Sequence, residues 1–153
     1  MRALEPWVGP PLQEFLAESS ARVTLLMTSA GQVVAQHGFT RSLDVMSAAA
    51  LGAGIMASTD ELARLMGSGR FGAMVHQGAR QGMYLSAFDT PRGRWIGLVV
   101  FGPETSVGLV QLFFQQFVDE LAAAAPPEAP QGPVLAENFE RELNASLRAL
   151  FGR

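Results

Sequence analysis

Several residue types are missing or scarce in this chain of 153 residues, and each absence removes a class of site. Cysteine is absent, which excludes disulfides and thiolate metal sites and makes the cytoplasm the expected compartment. The only histidines, His37 and His76, have no H-x-H or H-E-x-x-H spacing, so we expect no zinc site. Lysine is absent and the net charge is −3 with no basic run, so we expect no nucleic-acid partner.

Long hydrophobic runs are also missing. The apolar stretches, such as 95–101, are far shorter than the roughly 20 residues that span a bilayer. The N-terminus has no apolar core of the signal-peptide type, so we expect neither a leader nor a membrane partner. With 48% apolar and 16% charged residues, the chain has enough material for one globular domain with its own core.

The order of the predicted elements indicates the fold class. Turn signals and hydrophobic periods predict a helix, two strands, a long helix, three strands and a helix, and then a break and a tail helix. Hairpins with grouped helices are typical of an α+β domain built on an antiparallel sheet. We therefore divide the chain into a domain over residues 10–124, a Pro/Ala-rich linker over 125–133 and a C-terminal amphipathic helix over 134–153.

The long helix, predicted over residues 43–66, has two apolar stripes. One stripe is taken as the core face; it comprises Ala48, Leu51, Ile55, Leu62 and Met66. The opposite stripe is mostly small and could be buried by a second element of the same chain or could bind another helix or protein. We favour the second alternative and predict a partner or dimer interface made of Met46, Ala49, Ala53, Met56, Ala57, Asp60, Glu61 and Arg64.

Two glycine-rich runs, GAGIMA at 52–57 and GSGRFG at 67–72, resemble a dinucleotide-binding fingerprint. That fingerprint follows a strand and opens a helix, whereas GSGRFG follows the long helix and precedes a strand. We predict that Gly67 or Gly69 is the left-handed residue that ends the helix. The glycines of GAGIMA lie inside the helix, where we expect them to allow another backbone to come close.

Nothing in the chain forms a catalytic set. The hydroxyl residues have no neighbouring histidine and no nucleophile elbow, and the carboxylate pairs lie on solvated helix faces. We expect no active site, no cofactor and no metal. The tail helix has apolar residues every four positions, so it packs on its own domain or on another molecule. The residues predicted to make that contact are Leu135, Phe139, Leu143 and Leu147.

The chain resembles the Roadblock (dynein light chain) family. The resemblance is carried, in order and spacing, by VTLLMTSAGQVVAQHG, DVMSAAALGAGIMASTDELARLMGSG, GMYLSAF, WIGLVVF and VGLVQLFFQQFVDEL. Within the family, ELARLMGSGRF, VHQGARQGMYLS and the amphipathic tail are most similar to the bacterial regulators of gliding and polarity. The resemblance implies a Roadblock-type sandwich: a five-stranded antiparallel sheet with one long helix on one face, two helices on the other, and a tail helix.

The resemblance also implies a function. It implies a homodimer whose long helices pair and whose sheets join, and a small Ras-like GTPase as partner. Such dimers stimulate GTP hydrolysis without inserting a catalytic residue and act at a cell pole in polarity or motility. Two alternatives stay open: a non-catalytic Roadblock scaffold for a different GTPase system, and a small-molecule sensor or enzyme that uses the sheet and its loops.

Overall fold

The structure is a computed structural model that describes residues 2–3, 5–39, 43–127, 141 and 143–150. Its strands are β1 (Arg2–Ala3), β2 (Val23–Thr28), β3 (Val33–Gly38), β4 (Ala73–Gln77), β5 (Gly82–Thr90) and β6 (Gly93–Phe101). Its helices are α1 (Gly9–Ser19), which follows a 3-10 turn (Pro6–Val8), α2 (Val45–Leu65) and α3 (Val107–Ala124). Residues 143–150 are also helical, and we call them the tail helix.

The strands form one antiparallel sheet in the order β1-β3-β2-β6-β5-β4. The predicted α+β class and the five predicted strands are confirmed. The sheet also contains β1, which pairs with β3 through only two residues. A two-residue strand has no hydrophobic period, so the sequence pattern had no means of predicting it.

The helices cover the two faces of the sheet unequally, as the predicted sandwich requires. α1 and α3 share one face, where the ring of Phe114 lies 5.5–5.6 Å from the rings of Phe15, Tyr84 and Phe88. A Cβ atom at Gly97 of β6 would overlap the Phe114 ring, so this glycine makes room for the aromatic core. Among the described residues, α2 alone covers the opposite face, where it packs on β2, β5 and β6.

The glycine-rich segment after α2 ends the helix. Gly67 has a φ of +65°, its N–H donates to the carbonyl of Arg64 at 3.1 Å, and the N–H of Ser68 donates to the carbonyl of Ala63 at 2.9 Å. These two bonds are the Schellman motif. Gly69 has no positive φ, so Gly67 alone of the two predicted candidates is the left-handed residue.

We expect Gly67→Ala to lower the free energy of unfolding by about 1 kcal/mol, because a Cβ is disfavoured at positive φ. Gly69→Ala is the matched control, since a Cβ there meets nothing within 4 Å and the backbone is not left-handed. Urea denaturation of the three proteins measures the difference. Equal losses in the two variants would contradict the assignment of the cap to Gly67.

Candidate interaction surface

The inner face of α2 consists mostly of small residues. The helix begins after Asp44, whose carboxylate accepts a hydrogen bond from the backbone N–H of Ser47 at 3.1 Å. From there, the residues that α2 buries against the sheet are Ala49, Gly52, Ala53, Met56, Thr59 and Ala63. Three of these, Ala49, Ala53 and Met56, belong to the predicted partner interface, and that part of the prediction is wrong.

The reason is that the sheet supplies the large side chains of this layer. Met27 and Leu98 rise from β2 and β6, and a Cβ added at Gly52 would lie 3.3 Å from the sulfur of Met27 and 3.4 Å from a methyl of Leu98. Small residues therefore let α2 come close to the sheet. Gly52 does allow a close approach, as the GAGIMA run predicted. However, it brings α2 close to side chains of the chain's own sheet, not to another backbone.

The outer face of α2 carries the large apolar residues. Leu51 and Leu62, which were predicted to be core, are 69% and 56% exposed. Leu65 and Met66 are 68% and 70% exposed, and a Cβ at Gly54 in the same stripe would meet nothing within 4 Å. We call this surface the leucine face; it comprises Leu51, Gly54, Leu62, Leu65 and Met66.

The leucine face adjoins an open edge of the sheet. Thr59 lies beside it on the helix, and its hydroxyl is 3.6 Å from the sulfur of Met74 in β4. In the described part of the chain, β4 pairs only with β5, so its other edge has no strand beside it. An exposed apolar helix face next to an unpaired strand edge is the kind of surface that binds another chain.

Four residues of the predicted interface remain on the surface. Met46 is 80% exposed, and Ala57, Glu61 and Arg64 are also exposed. Their helical spacing places them together on the side of α2 that flanks the leucine face. We call them the charged side. Glu61 and Arg64 form an ion pair one turn apart, and the hydrogen bond from Arg64 lowers the pKa of the Glu61 carboxyl.

Asp60, also predicted to be at the interface, has a partner within the chain. Its carboxylate accepts a hydrogen bond from Arg94 of β6 at 2.7 Å, and the two side chains are only 27% and 22% exposed. The hydrogen bond from Arg94 holds the pKa of Asp60 below its ordinary value, although burial acts in the opposite direction. The ion pair between Asp60 and Arg94 thus links α2 to β6 of the sheet.

We expect Asp60→Asn to lower the free energy of unfolding by about 1–2 kcal/mol at pH 7, because a charge-assisted hydrogen bond is lost. Since the folded pKa is depressed, this contribution is present above the unfolded pKa of about 4 and is lost as the pH falls through the folded pKa. The variant should therefore lose less stability than the wild type below about pH 4. Glu61→Gln, at an exposed pair that solvent screens, is the control and should change the pH profile much less than Asp60→Asn does.

The tail helix presents an apolar side. Leu143 and Leu147, both predicted contacts, are 48% and 42% exposed, and Leu150 is 78% exposed. The other two predicted contacts, Leu135 and Phe139, lie outside the described residues, as does most of the predicted linker. Where the tail binds thus stays a prediction.

Other kinds of site have little support among the described residues. No group of three or more His, Asp or Glu residues in these ranges is arranged to hold a metal ion. No helix within them combines the length and the apolar character that crossing a bilayer requires.

Comparisons with known proteins identify the family. A profile of the Roadblock/LC7 domain matches residues 11–90. MglB from Myxococcus xanthus is 29% identical, with a TM-score of 0.71 over 78% of this chain and 95% of that one. The gliding protein MglB from Thermus thermophilus is 31% identical, with a TM-score of 0.68 over 78% and 88% of the two chains.

A third structure, of an MglB with a tetrameric arrangement, is 30% identical, with a TM-score of 0.69 over 77% of this chain and 87% of that one. A search among curated proteins finds no match. The family profile and the two MglB structures at 30% identity or above cover the sandwich whose sheet and helices are described above. The chain belongs to the Roadblock/LC7 family, and its structure is similar to those of the MglB gliding proteins.

Proposed function

We propose that the chain is a homodimeric regulator that binds a small Ras-like GTPase of the MglA type and stimulates its hydrolysis of GTP. The observation that carries the proposal is the leucine face beside the open edge of β4. The described part of the chain leaves both surfaces uncovered, and the similar solved structures are MglB proteins, one of them named a gliding protein.

The dimer we propose joins two copies through α2 and β4. β4 reads AMVHQ and contains neither a charged residue nor a proline, so no side chain opposes its pairing with a second strand. Two β4 strands related by a twofold axis would pair antiparallel and extend the sheet into the partner. The leucine faces would then lie against each other, with Gly54 allowing the helices to approach closely.

We assign the GTPase-binding site to the charged side of α2, which remains accessible in this dimer. The charged side offers Glu61 and Arg64 beside the small Ala57 and the flexible Met46. We infer that contact with the switch regions repositions the GTPase's own arginine and glutamine, which stabilises the charge of the transition state indirectly. No residue of this chain enters the nucleotide pocket in this mechanism. The tail helix is a second contact on the GTPase, and the complex acts at a cell pole.

Isothermal titration calorimetry with a purified MglA-type GTPase tests the partner. We expect the chain to bind the GTPase loaded with a non-hydrolysable GTP analogue more tightly than the GDP form, at two copies per GTPase. Binding without any increase in the hydrolysis rate would favour the scaffold alternative. No heat of binding with either nucleotide would contradict the GTPase partner.

A further inference from the structure

The two edges of the sheet, at β3 and at β4, differ in whether another strand covers them. β3 reads VVAQHG and, like β4, has no charged residue and no proline, so neither strand carries the side chains that usually prevent edge-to-edge pairing. β4 has no cover in the described part of the chain, whereas β3 is covered by β1. Arg2 pairs with Gln36, and Ala3 pairs with Ala35. In the described residues the new edge is two residues long, and so short an edge strand does not favour further pairing.

Ala3 of β1 packs against the core, and the chain has further anchoring contacts just after β1. Arg92 donates a hydrogen bond to the carboxylate of Glu5 at 3.3 Å, and the indole N–H of Trp7 donates to the same carboxylate. The Trp7 ring stacks on Trp95 at a centroid distance of 5.8 Å. β1 is therefore a short strand that precedes the fixed residues Glu5 and Trp7. Its removal leaves the contacts of these two residues in place.

Apolar surface continues from the β3 edge. A groove of about 690 Å³ runs between residues 31–36 and residues 43–46 at the start of α2. Met46 beside this groove is 80% exposed, and Phe39, which follows β3, is 67% exposed. An uncharged strand edge with exposed apolar side chains beside it is a template for another strand.

We propose that β1 blocks the β3 edge. Without β1, a second copy of this chain would add its own β3 to the sheet. Two identical β3 strands related by a twofold axis form the same contacts from both sides, and no like charges oppose each other because β3 has none. This pairing uses the edge opposite β4. A chain that paired through both edges would form an open assembly, and β1 keeps the assembly closed.

The test is a variant in which residues 1–4 are replaced by a single initiator methionine, so that the chain resumes at Glu5. Light scattering is measured across micromolar concentrations. We expect the wild type to keep one mass and the truncated chain to reach at least about twice that mass, rising with concentration. Gln36→Lys in the truncated chain places a charge on the exposed edge and should restore the wild-type mass.

Two results would overturn the proposal: a truncated chain with the wild-type mass at every concentration, or a larger mass that Gln36→Lys does not reduce. The second result would indicate aggregation of misfolded chain, and circular dichroism on the same samples would show it. Pairing through β3 does not need the proposed α2–β4 dimer, whereas an open assembly needs both contacts. Truncation combined with Leu62→Arg should still double the mass of the Leu62→Arg chain, because pairing through β3 does not use the leucine face.

Discussion

Leu62→Arg is expected to convert the proposed dimer into a monomer while the fold is kept. The Leu62 side chain is 56% exposed and lies on the leucine face, so an arginine there disturbs nothing inside the chain. In a twofold interface each substitution occurs twice, and truncation of one central apolar contact already costs about 2 kcal/mol. We expect the dissociation constant to rise at least about 100-fold. Light scattering at micromolar concentration measures the change.

Two other variants make this result specific. Gln116→Arg adds the same charge on an exposed position of α3 and should leave the dimer intact. Ala53→Arg, in contrast, places an arginine at a site that is 7% exposed and packed on the sheet, so it should unfold the chain rather than separate two folded copies. A wild-type chain that is monomeric at micromolar concentration would contradict the dimer, and a dimeric Leu62→Arg chain would contradict its assignment to the leucine face.

Arg64→Ala is expected to weaken the binding of the GTPase and to leave the hydrolysis rate of the saturated complex nearly unchanged. Arg64 is held by Glu61 on the surface of α2, and the hydrogen bond with that carboxylate raises the pKa of the guanidinium. In the proposed complex, Arg64 contributes to contact and charge and does not enter the nucleotide pocket. Loss of an arginine finger would instead reduce the rate by about 10³-fold or more with little loss of affinity.

Single-turnover hydrolysis at saturating Arg64→Ala protein separates these outcomes. Glu61→Gln is the matched variant, because it removes the partner of Arg64 without removing the guanidinium. We expect it, too, to change the affinity rather than the saturated rate. A collapse of the saturated rate in Arg64→Ala would mean that this chain supplies a catalytic arginine and that the indirect mechanism is wrong.

The sequence predicted the α+β fold well because its elements have clear patterns. The continuous apolar runs of β2 and β6 identify buried strands, and the helical spacing in α3 identifies a helix and its buried side. α2 shows where this reasoning fails. Its two apolar stripes were both found, but the larger residues were placed inside, since greater hydrophobicity favours burial. In the structure, Met27 and Leu98 fill the layer from the sheet, and the helix contributes small residues there with the exception of Met56.

For Gly54, the close approach of another backbone that GAGIMA predicted stays a prediction. A glycine inside a helix costs stability, so it usually has a reason. Gly52 has that reason within the chain, because a Cβ would press on Met27. Gly54 has none within the described residues, and it lies among exposed leucines. Asp60 could not have been assigned from sequence either, because its partner Arg94 is 34 residues away and only the fold brings them together.

The most direct test of the proposed function is the rate of GTP hydrolysis by an MglA-type GTPase, measured in single turnover as the wild-type chain is titrated. We predict a saturable acceleration of the hydrolysis rate that reaches its plateau at two copies of the chain per GTPase. The Leu62→Arg chain should fail to give this plateau at the same concentrations. A hydrolysis rate that stays at its intrinsic value at every concentration of the wild-type chain would contradict the proposed function.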